Sequence, residues 1–100
     1  MPIPFVIDAT NANGTQVIPS PGTGFRIRVV KYMLTTKTDI GIKWQSGSTD
    51  LSGVSWFGAN GGVNTETNLV CGKGKALNIH LSAGSAVVGG HGEYVKEKIR

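Results

Sequence analysis

Hydrophobic and polar side chains alternate along most of this chain, and the alternation is clearest near the C-terminus. In residues 77–81 the aliphatic side chains fall on one side of an extended segment and the polar ones on the other. A turn of small residues follows at 82–85, and residues 86–95 have the pattern of a second strand. Alternation with a period of two, closed by such a turn, is typical of an antiparallel strand pair with one solvated face. The pattern therefore predicts a hairpin here.

The same pattern predicts two further hairpins. Residues 25–35 form the longest strand candidate, and a short connection leads from it to a strand at 39–45. Near the N-terminus, short strands at 5–7 and 15–18 flank Asn13-Gly14, which is a favoured pair for a tight hairpin turn. Short connections of this kind usually join strands that are neighbours in a sheet.

About eight short strands are predicted in total, at spacings of about 8–12 residues, as expected for a β-sandwich or a barrel. No segment shows the apolar helical period of a buried helix. Gly, at 15 of 100 residues, is about twice as common as in an average protein, which suits a turn-rich β fold. The sequence therefore predicts an all-β fold, a small antiparallel β-sandwich that occupies residues 1–100 as a single domain.

The two ends of the chain carry separate predictions. Prolines at positions 2, 4, 19 and 21 predict that residues 1–24 form an extended N-terminal arm together with edge strands. Two alternatives stay open for residues 1–8, which either contact a partner or form an edge strand of the protein's own sheet. Residues 96–100 are predicted to be a frayed tail.

The chain carries 10 Lys and Arg against 6 Asp and Glu, for a formal net charge of +4. The basic residues are scattered, whereas a nucleic-acid surface needs a stripe of them with aromatic partners. Solvated strand edges are therefore favoured over a specific nucleic-acid interface. The N-terminus lacks the pattern of a signal peptide, and no apolar run approaches the length of a membrane helix. We expect folding in a cytoplasm and no membrane partner.

Few residues are candidates for catalysis or for metal binding. Cys71, His80 and His91 are the only soft metal ligands, and their spacing matches no familiar metal signature. Cys71 is alone, so no internal disulfide is possible, which fits a reducing compartment, and it has no flanking nucleophile motif. The six carboxylates suggest no catalytic pair. We therefore predict no catalytic residues, no metal, no cofactor and no enzymatic activity.

Aromatic residues offer the one candidate for small-molecule binding. Trp44, Trp56 and Phe57 could together form a platform on which a sugar ring stacks. Trp44 is in register with two isoleucines of its strand, which favours the core for it. Trp56 lies in a glycine-rich region and is the better candidate for exposure. Packing in the core or at a subunit interface is nevertheless favoured over a sugar platform for these aromatic residues.

Residues 25–95 as a whole resemble a known class of proteins. The sequence segments on which the resemblance rests are FRIRVVKYMLTT, GIKWQSGSTDLSG, GANGGV and KGKALNIHLSAGSAVVGGHGEYV. It resembles small structural proteins of tailed bacteriophages, in particular the decoration or cement type that binds the outside of the capsid. The resemblance implies a jelly-roll-like sandwich, a homo-oligomer (a trimer or a dimer, with a trimer favoured), and a location on the virion surface after synthesis in the bacterial host.

The resemblance further implies a partner and a task. The partner is the major capsid protein, and the chain would stabilise the head by bridging neighbouring capsid subunits. Apolar and aromatic positions on predicted strands and on the arm supply the candidate contacts with the capsid or with a second subunit, namely Ile3, Phe5, Val30, Tyr32, Leu34, Trp56 and Phe57. The alternative function is a phage tail-fibre or spike module, or another receptor- or glycan-binding β module, with Trp56 and Phe57 at its binding surface.

Overall fold

The computed structural model describes residues 2–10, 14–83 and 87–99. Within these ranges the chain forms strands and no helix, and therefore no helix that could cross a membrane. The all-β prediction is confirmed. The strands are β1 (Ile3–Ala9), β2 (Thr15–Ile18), β3 (Phe25–Thr36), β4 (Ile40–Ser46), β5 (Thr49–Asp50), β6 (Ser55–Phe57), β7 (Gly62–Val70), β8 (Leu77–Leu81) and β9 (Val88–Lys98).

The strands form two antiparallel sheets. Sheet A has the order β1-β9-β3-β7, and sheet B has the order β2-β8-β4-β5, with β6 also paired to β4. From β1 to β4, and again from β7 to β9, each successive strand lies in the other sheet. Only the short strands β5 and β6 follow β4 within sheet B, and the β4–β5 connection turns at Gly47, whose φ is 60°.

All three hairpins predicted from the sequence are therefore wrong. β8 pairs with β2 and β4, whereas β9 pairs with β1 and β3. The predicted pairs β1–β2 and β3–β4 are likewise divided between the two sheets. A turn that folds a strand back onto its neighbour and a turn that carries the chain to the opposite sheet need the same small and polar residues. Residues 84–85 of the predicted turn and residue 86 of the predicted strand lie outside the described residues, as do residues 11–13.

One hydrophobic core lies between the sheets. Sheet A contributes Ile27 and Val29, and sheet B contributes Ile79 and Leu81, all of them inaccessible to solvent. Across the core, the rings of Tyr32 and Trp44 meet edge to face with centroids 5.1 Å apart. Aliphatic side chains that alternate along each strand thus meet from both sides, which gives the fold a β-sandwich-like architecture.

Strand β3 changes phase at Val30. Its register with both β7 and β9 shifts between Val29 and Lys31, which marks a β-bulge. The extra residue reverses the side to which later residues point, so that Leu34 and Thr36 are buried on the same side as Val29. Tyr32 and Leu34, two of the predicted contact residues, therefore point toward the core.

Both chain ends join sheet A. β1 is an edge strand that pairs with β9 along its whole length, from Ile3 opposite Tyr94 to Ala9 opposite Val88. Of the two alternatives for residues 1–8, the structure has the edge strand for the residues it describes. The frayed tail is wrong for residues 96–99, because β9 pairs with β3 as far as Lys98 and the Ile99 N–H donates to Gly24 O at 2.8 Å. Residue 100 lies outside the described residues.

Candidate binding surfaces

The structure separates the predicted contact residues into two groups. Phe5 and Leu34 are core residues, 6% and 1% exposed, so the prediction that they contact a partner is wrong. Phe5 alternates inward from the edge strand β1, and its ring meets Tyr94 edge to face at 6.1 Å. Leu34 turns inward because of the bulge in β3. Neither side chain can reach a partner without opening the sandwich.

The remaining predicted contacts differ in exposure. Val30 at the bulge, Tyr32 and Phe57 are half-buried, and the last two pack against the core. Ile3 lies at the rim of the core and is 37% exposed, whereas Trp56 is 72% exposed. The structure does not bring these residues together, because Ile3 is on β1 in sheet A and Trp56 is on β6 in sheet B.

A groove crosses the outer face of sheet A beside β1. The strand register places Val6 opposite His91, and His91 opposite Met33. These side chains line a groove of about 550 Å³. Gly92 also lines it. A Cβ on Gly92 would lie 2.6 Å from the carbonyl oxygen of Lys31 and 2.7 Å from the Phe5 ring, so this position has no room for a side chain. We call four of the exposed or half-exposed residues that line this groove, Pro4, Val6, Met33 and His91, the β1 surface.

Ion pairs lie along the groove and beyond it on the outer face of sheet A. Lys31 and Glu93, which face each other across β3 and β9, have their Nζ and Oε1 atoms 3.0 Å apart. Glu97 accepts from Arg26 Nε at 2.9 Å and pairs with Arg28 Nη2 at 2.8 Å. Hydrogen bonds from Arg26 and Arg28 hold the pKa of the Glu97 carboxyl below its usual value. These pairs join the C-terminal strand to the centre of the sheet.

The outer face of sheet B carries a different feature at one end. Trp56 on β6 is the neighbour of Gly41 on β4. Its ring atoms Cε3 and Cη2 each lie 3.1 Å from the position that a Cβ on Gly41 would take, and Val54 Cγ1 lies 2.6 Å from it. The absence of a side chain at Gly41 thus makes room for the indole and for Val54. We call Trp56, Val54 and the underlying Gly41 the Trp56 platform.

Polar side chains cover the remainder of that face. Lys43 lies opposite His80, and one row further on Gln45 lies opposite both Asp50 and Asn78. Lys43 Nζ lies 3.2 Å from Asp50 Oδ1, and Gln45 Nε2 donates to the same carboxylate at 2.9 Å. The hydrogen bonds from Gln45 and then from Lys43 lower the pKa of the Asp50 carboxyl.

The three soft metal ligands of the chain lie far apart in the fold. His80 is on the outer face of sheet B, His91 is on sheet A, and Cys71 is buried in the core between them. Burial raises the pKa of the Cys71 thiol, and a hydrogen bond with Ser46 acts in the opposite direction. Within residues 2–10, 14–83 and 87–99, no cluster of metal-binding side chains is formed.

Sequence reasoning missed Val6, Val54 and Gly41. Val6 is 71% exposed although it sits between two apolar neighbours, and only the alternation of the buried positions 5, 7 and 9 identifies it as outward-facing. Gly41 could have been identified from the sequence, since a lone glycine inside a strand often marks a close approach by another group.

Comparisons of the chain with protein-family models, with curated proteins and with solved structures return no significant match.

Proposed function

We propose that this chain is a structural virion protein that binds the outer surface of a bacteriophage capsid and stabilises the head by bridging capsid subunits. The resemblance of residues 25–95 to capsid decoration proteins supports the proposal. The structural observation that carries it is the exposure of Val6, an apolar side chain that is 71% exposed on the edge strand β1 and lines the groove of sheet A.

An edge strand with exposed apolar side chains suits a large partner. β1 is hydrogen-bonded on one side only, to β9, among the described residues. Natural sheets usually protect such an edge with charges or prolines. Here Pro4 and Asp8 are the only such residues on β1. Covering one side chain of the size of Val or Ile is worth about 1.5–3 kcal/mol when the burial is complete.

The proposal includes a jelly-roll topology and a homo-oligomer, with a trimer favoured. The strand orders β1-β9-β3-β7 and β2-β8-β4-β5 support the topology, because the chain passes from sheet to sheet as it does in two interlocked Greek keys. An oligomer whose symmetry axis matches an axis of the shell would bind by several equal contacts. Each contact raises the effective concentration of the next, so weak individual contacts suffice.

Cosedimentation with capsids tests the proposal. Purified chain is mixed with capsids of the phage that encodes it, assembled without this protein, and the pelleted copies are counted by mass spectrometry. We expect saturable binding at many copies per particle. Val6→Asp, which places a charge in the centre of the β1 surface, should weaken binding by about tenfold or more. Trp56→Ala, on the other sheet, is the matched control and should bind like the original protein.

Two outcomes contradict parts of the proposal. A chain that stays in the supernatant at all concentrations is not a capsid-binding protein. If the chain pellets and Val6→Asp pellets equally well, capsid binding stands and the assignment to the β1 surface is wrong. Light scattering at micromolar concentration checks the oligomer, and a monomer mass near 10.5 kDa would contradict it.

The second candidate function is a tail-fibre or spike module that binds a receptor or a glycan. The exposure of Trp56 on the outer face of sheet B favours it, because an aromatic ring open to solvent is costly unless a ligand covers it. Copy number distinguishes the two candidates. A capsid decoration protein is present in many copies per virion, whereas a tail tip is present in few.

A further inference from the structure

We propose that the Trp56 platform binds a neutral saccharide through a β-linked hexopyranose ring that stacks on the exposed face of the indole. The inference does not depend on capsid binding, which is assigned to the opposite sheet. It depends on three observations: the orientation of the Trp56 ring, the small apolar area around it, and the free hydrogen-bonding groups beside it.

The ring of Trp56 lies face-on over Gly41. Cε3 and Cη2 are equally distant, at 3.1 Å, from the position of a Cβ on Gly41, and no other atom of the ring is nearer. Cζ3 is bonded to both of these atoms, so a ring that pointed its edge at Gly41 would bring Cζ3 closest. One face of the six-membered ring is therefore turned to the sheet. The opposite face is turned to solvent, in agreement with the 72% exposure of the residue.

The surroundings of the ring suit a hydroxyl-rich ligand rather than a protein. Val54 is the one other exposed large apolar side chain next to the ring among the described residues. The next rows of the same face are polar, with Lys43 and His80 and then Gln45 and Asn78. A protein interface needs a larger apolar centre, whereas a small-ligand site combines one apolar surface with a few polar groups.

Hydrogen-bonding groups lie within reach of a ring stacked on Trp56. Ser82 borders Gly41 on the side away from β6, and its Oγ accepts the Gly41 N–H at 2.9 Å. The Ser82 hydroxyl hydrogen has no acceptor among the described residues, and the imidazole of His80 has no hydrogen-bond partner there either. Within the described part of the chain, Lys43 Nζ is hydrogen-bonded only to Asp50, which leaves further donors free. Lys43 lies two residues, or about 7 Å, along β4 from Gly41.

The chemistry of the platform selects the kind of sugar. A flat aromatic face packs best against the hydrogens of carbon atoms, and a hexopyranose with equatorial hydroxyls has an apolar face of axial hydrogens. A β linkage keeps the next sugar unit extended along the surface. The Lys43–Asp50 pair presents one charge of each sign, which suits neutral hydroxyls better than a charged sugar.

Titration with defined disaccharides tests the inference. Cellobiose and lactose are the probes, and the α-linked maltose is the comparison ligand. Binding is followed by tryptophan fluorescence and by the NMR signals of the two indole N–H groups. Trp44 is buried and serves as an internal reference, so only the Trp56 signals should shift. We expect saturation at millimolar concentration with the β-linked probes and weaker binding of maltose.

Three variants locate the site. Trp56→Ala should lower the affinity by about tenfold or more, whereas Trp56→Phe should retain most of it, because it keeps a stacking surface. Gly41→Ala keeps the indole but inserts a methyl group beneath it, so it should also weaken binding. Val6→Asp on sheet A is the matched control and should bind the sugars unchanged.

Two results would overturn the inference. One is the absence of any shift of the Trp56 signals with both β-linked probes at concentrations far above millimolar. The other is sugar binding that Trp56→Ala leaves unaltered. If no sugar binds and Trp56→Ala abolishes cosedimentation with capsids, the platform is a protein contact, and both the sugar site and the assignment of capsid binding to the β1 surface are wrong.

Discussion

Among the described residues, the two most exposed large apolar side chains lie on the outer faces of different sheets and in different settings. Val6 is 71% exposed and Trp56 is 72% exposed. Val6 stands on the edge strand of sheet A beside a groove of about 550 Å³. Trp56 lies on sheet B with one ring face held against Gly41. Two side chains of nearly equal exposure therefore offer a partner two different kinds of surface.

The two surfaces differ in how far their side chains are already ordered before a partner binds. Around Val6, a partner finds an apolar side chain, a groove and a strand edge, which together offer a long and adaptable contact. At Trp56, the ring orientation is set by the space over Gly41, so a flat ligand does not have to order the indole on binding. An extended macromolecule suits the first surface, and a single sugar ring suits the second.

The largest predicted effect contrasts the two sides of β1. Phe5→Ala removes a core ring that packs on Tyr94 and should lower the free energy of unfolding by about 3–5 kcal/mol. Val6→Thr, one position further along, keeps the shape and β propensity of an exposed side chain and should change it by less than about 0.5 kcal/mol. Urea unfolding measures both. Equal and small losses would mean that β1 is not part of the cooperative core.

The second prediction compares a glycine of each sheet. Gly92→Ala brings a Cβ to 2.6 Å from the backbone oxygen of Lys31, which cannot move without disturbing sheet A. This variant should lose about 1–3 kcal/mol of stability. In Gly41→Ala the Cβ meets the side chains of Val54 and Trp56, which are exposed and can shift away. The melting temperature of Gly41→Ala should fall less than that of Gly92→Ala. A larger fall for Gly41→Ala would show that the Trp56 platform is rigidly packed.

The third prediction uses Cys71 as a probe of the core that the two faces share. Burial raises the pKa of this thiol, so little thiolate is present at neutral pH and reaction with a disulfide reagent should be slow until the chain unfolds. Val6→Thr and Trp56→Ala should leave the rate of modification unchanged, because they alter only outer faces. Phe5→Ala should accelerate it. Fast modification of the unaltered protein would contradict the buried position of Cys71.

The smallest predicted effect concerns acid. Glu97 on sheet A and Asp50 on sheet B both have a lowered pKa in the folded state. Each therefore contributes stability that is present above its ordinary pKa and is lost as the pH falls through the lower, folded value. Glu97→Gln should flatten the loss of melting temperature on acidification below the ordinary value of 4.5.

Asp50→Asn provides the comparison on the other face. Asp50→Asn should reduce the loss of melting temperature on acidification less than Glu97→Gln does. Glu97 pairs with two arginines, whereas Asp50 is the more exposed carboxylate and pairs with one lysine, so water screens it more. Melting temperatures between pH 3 and pH 7, about the range of interest for carboxylates, measure both variants. A larger effect of Asp50→Asn would mean that the sheet B ion pair is the stronger one.

The alternation of side chains determined much of the fold by itself. It identified most of the strands and inward positions such as Ile79, because a strand with one buried face must place its apolar residues at every second position. Trp56 was the better candidate for exposure among the aromatic residues because of its glycine-rich surroundings, although packing was favoured for it as well. These properties depend on residues that are close together in the chain, so they can be predicted from the sequence alone.

Only the tertiary structure decided which strands pair and where the exposed apolar side chains lie. Passing to the opposite sheet and folding back on a neighbour need the same turn residues, so the three predicted hairpins could not be told from crossings. The bulge at Val30 turned Leu34 inward, and the register placed Trp56 over Gly41. Each of these outcomes depends on contacts between residues distant in the chain, and period and composition carry no information about such contacts.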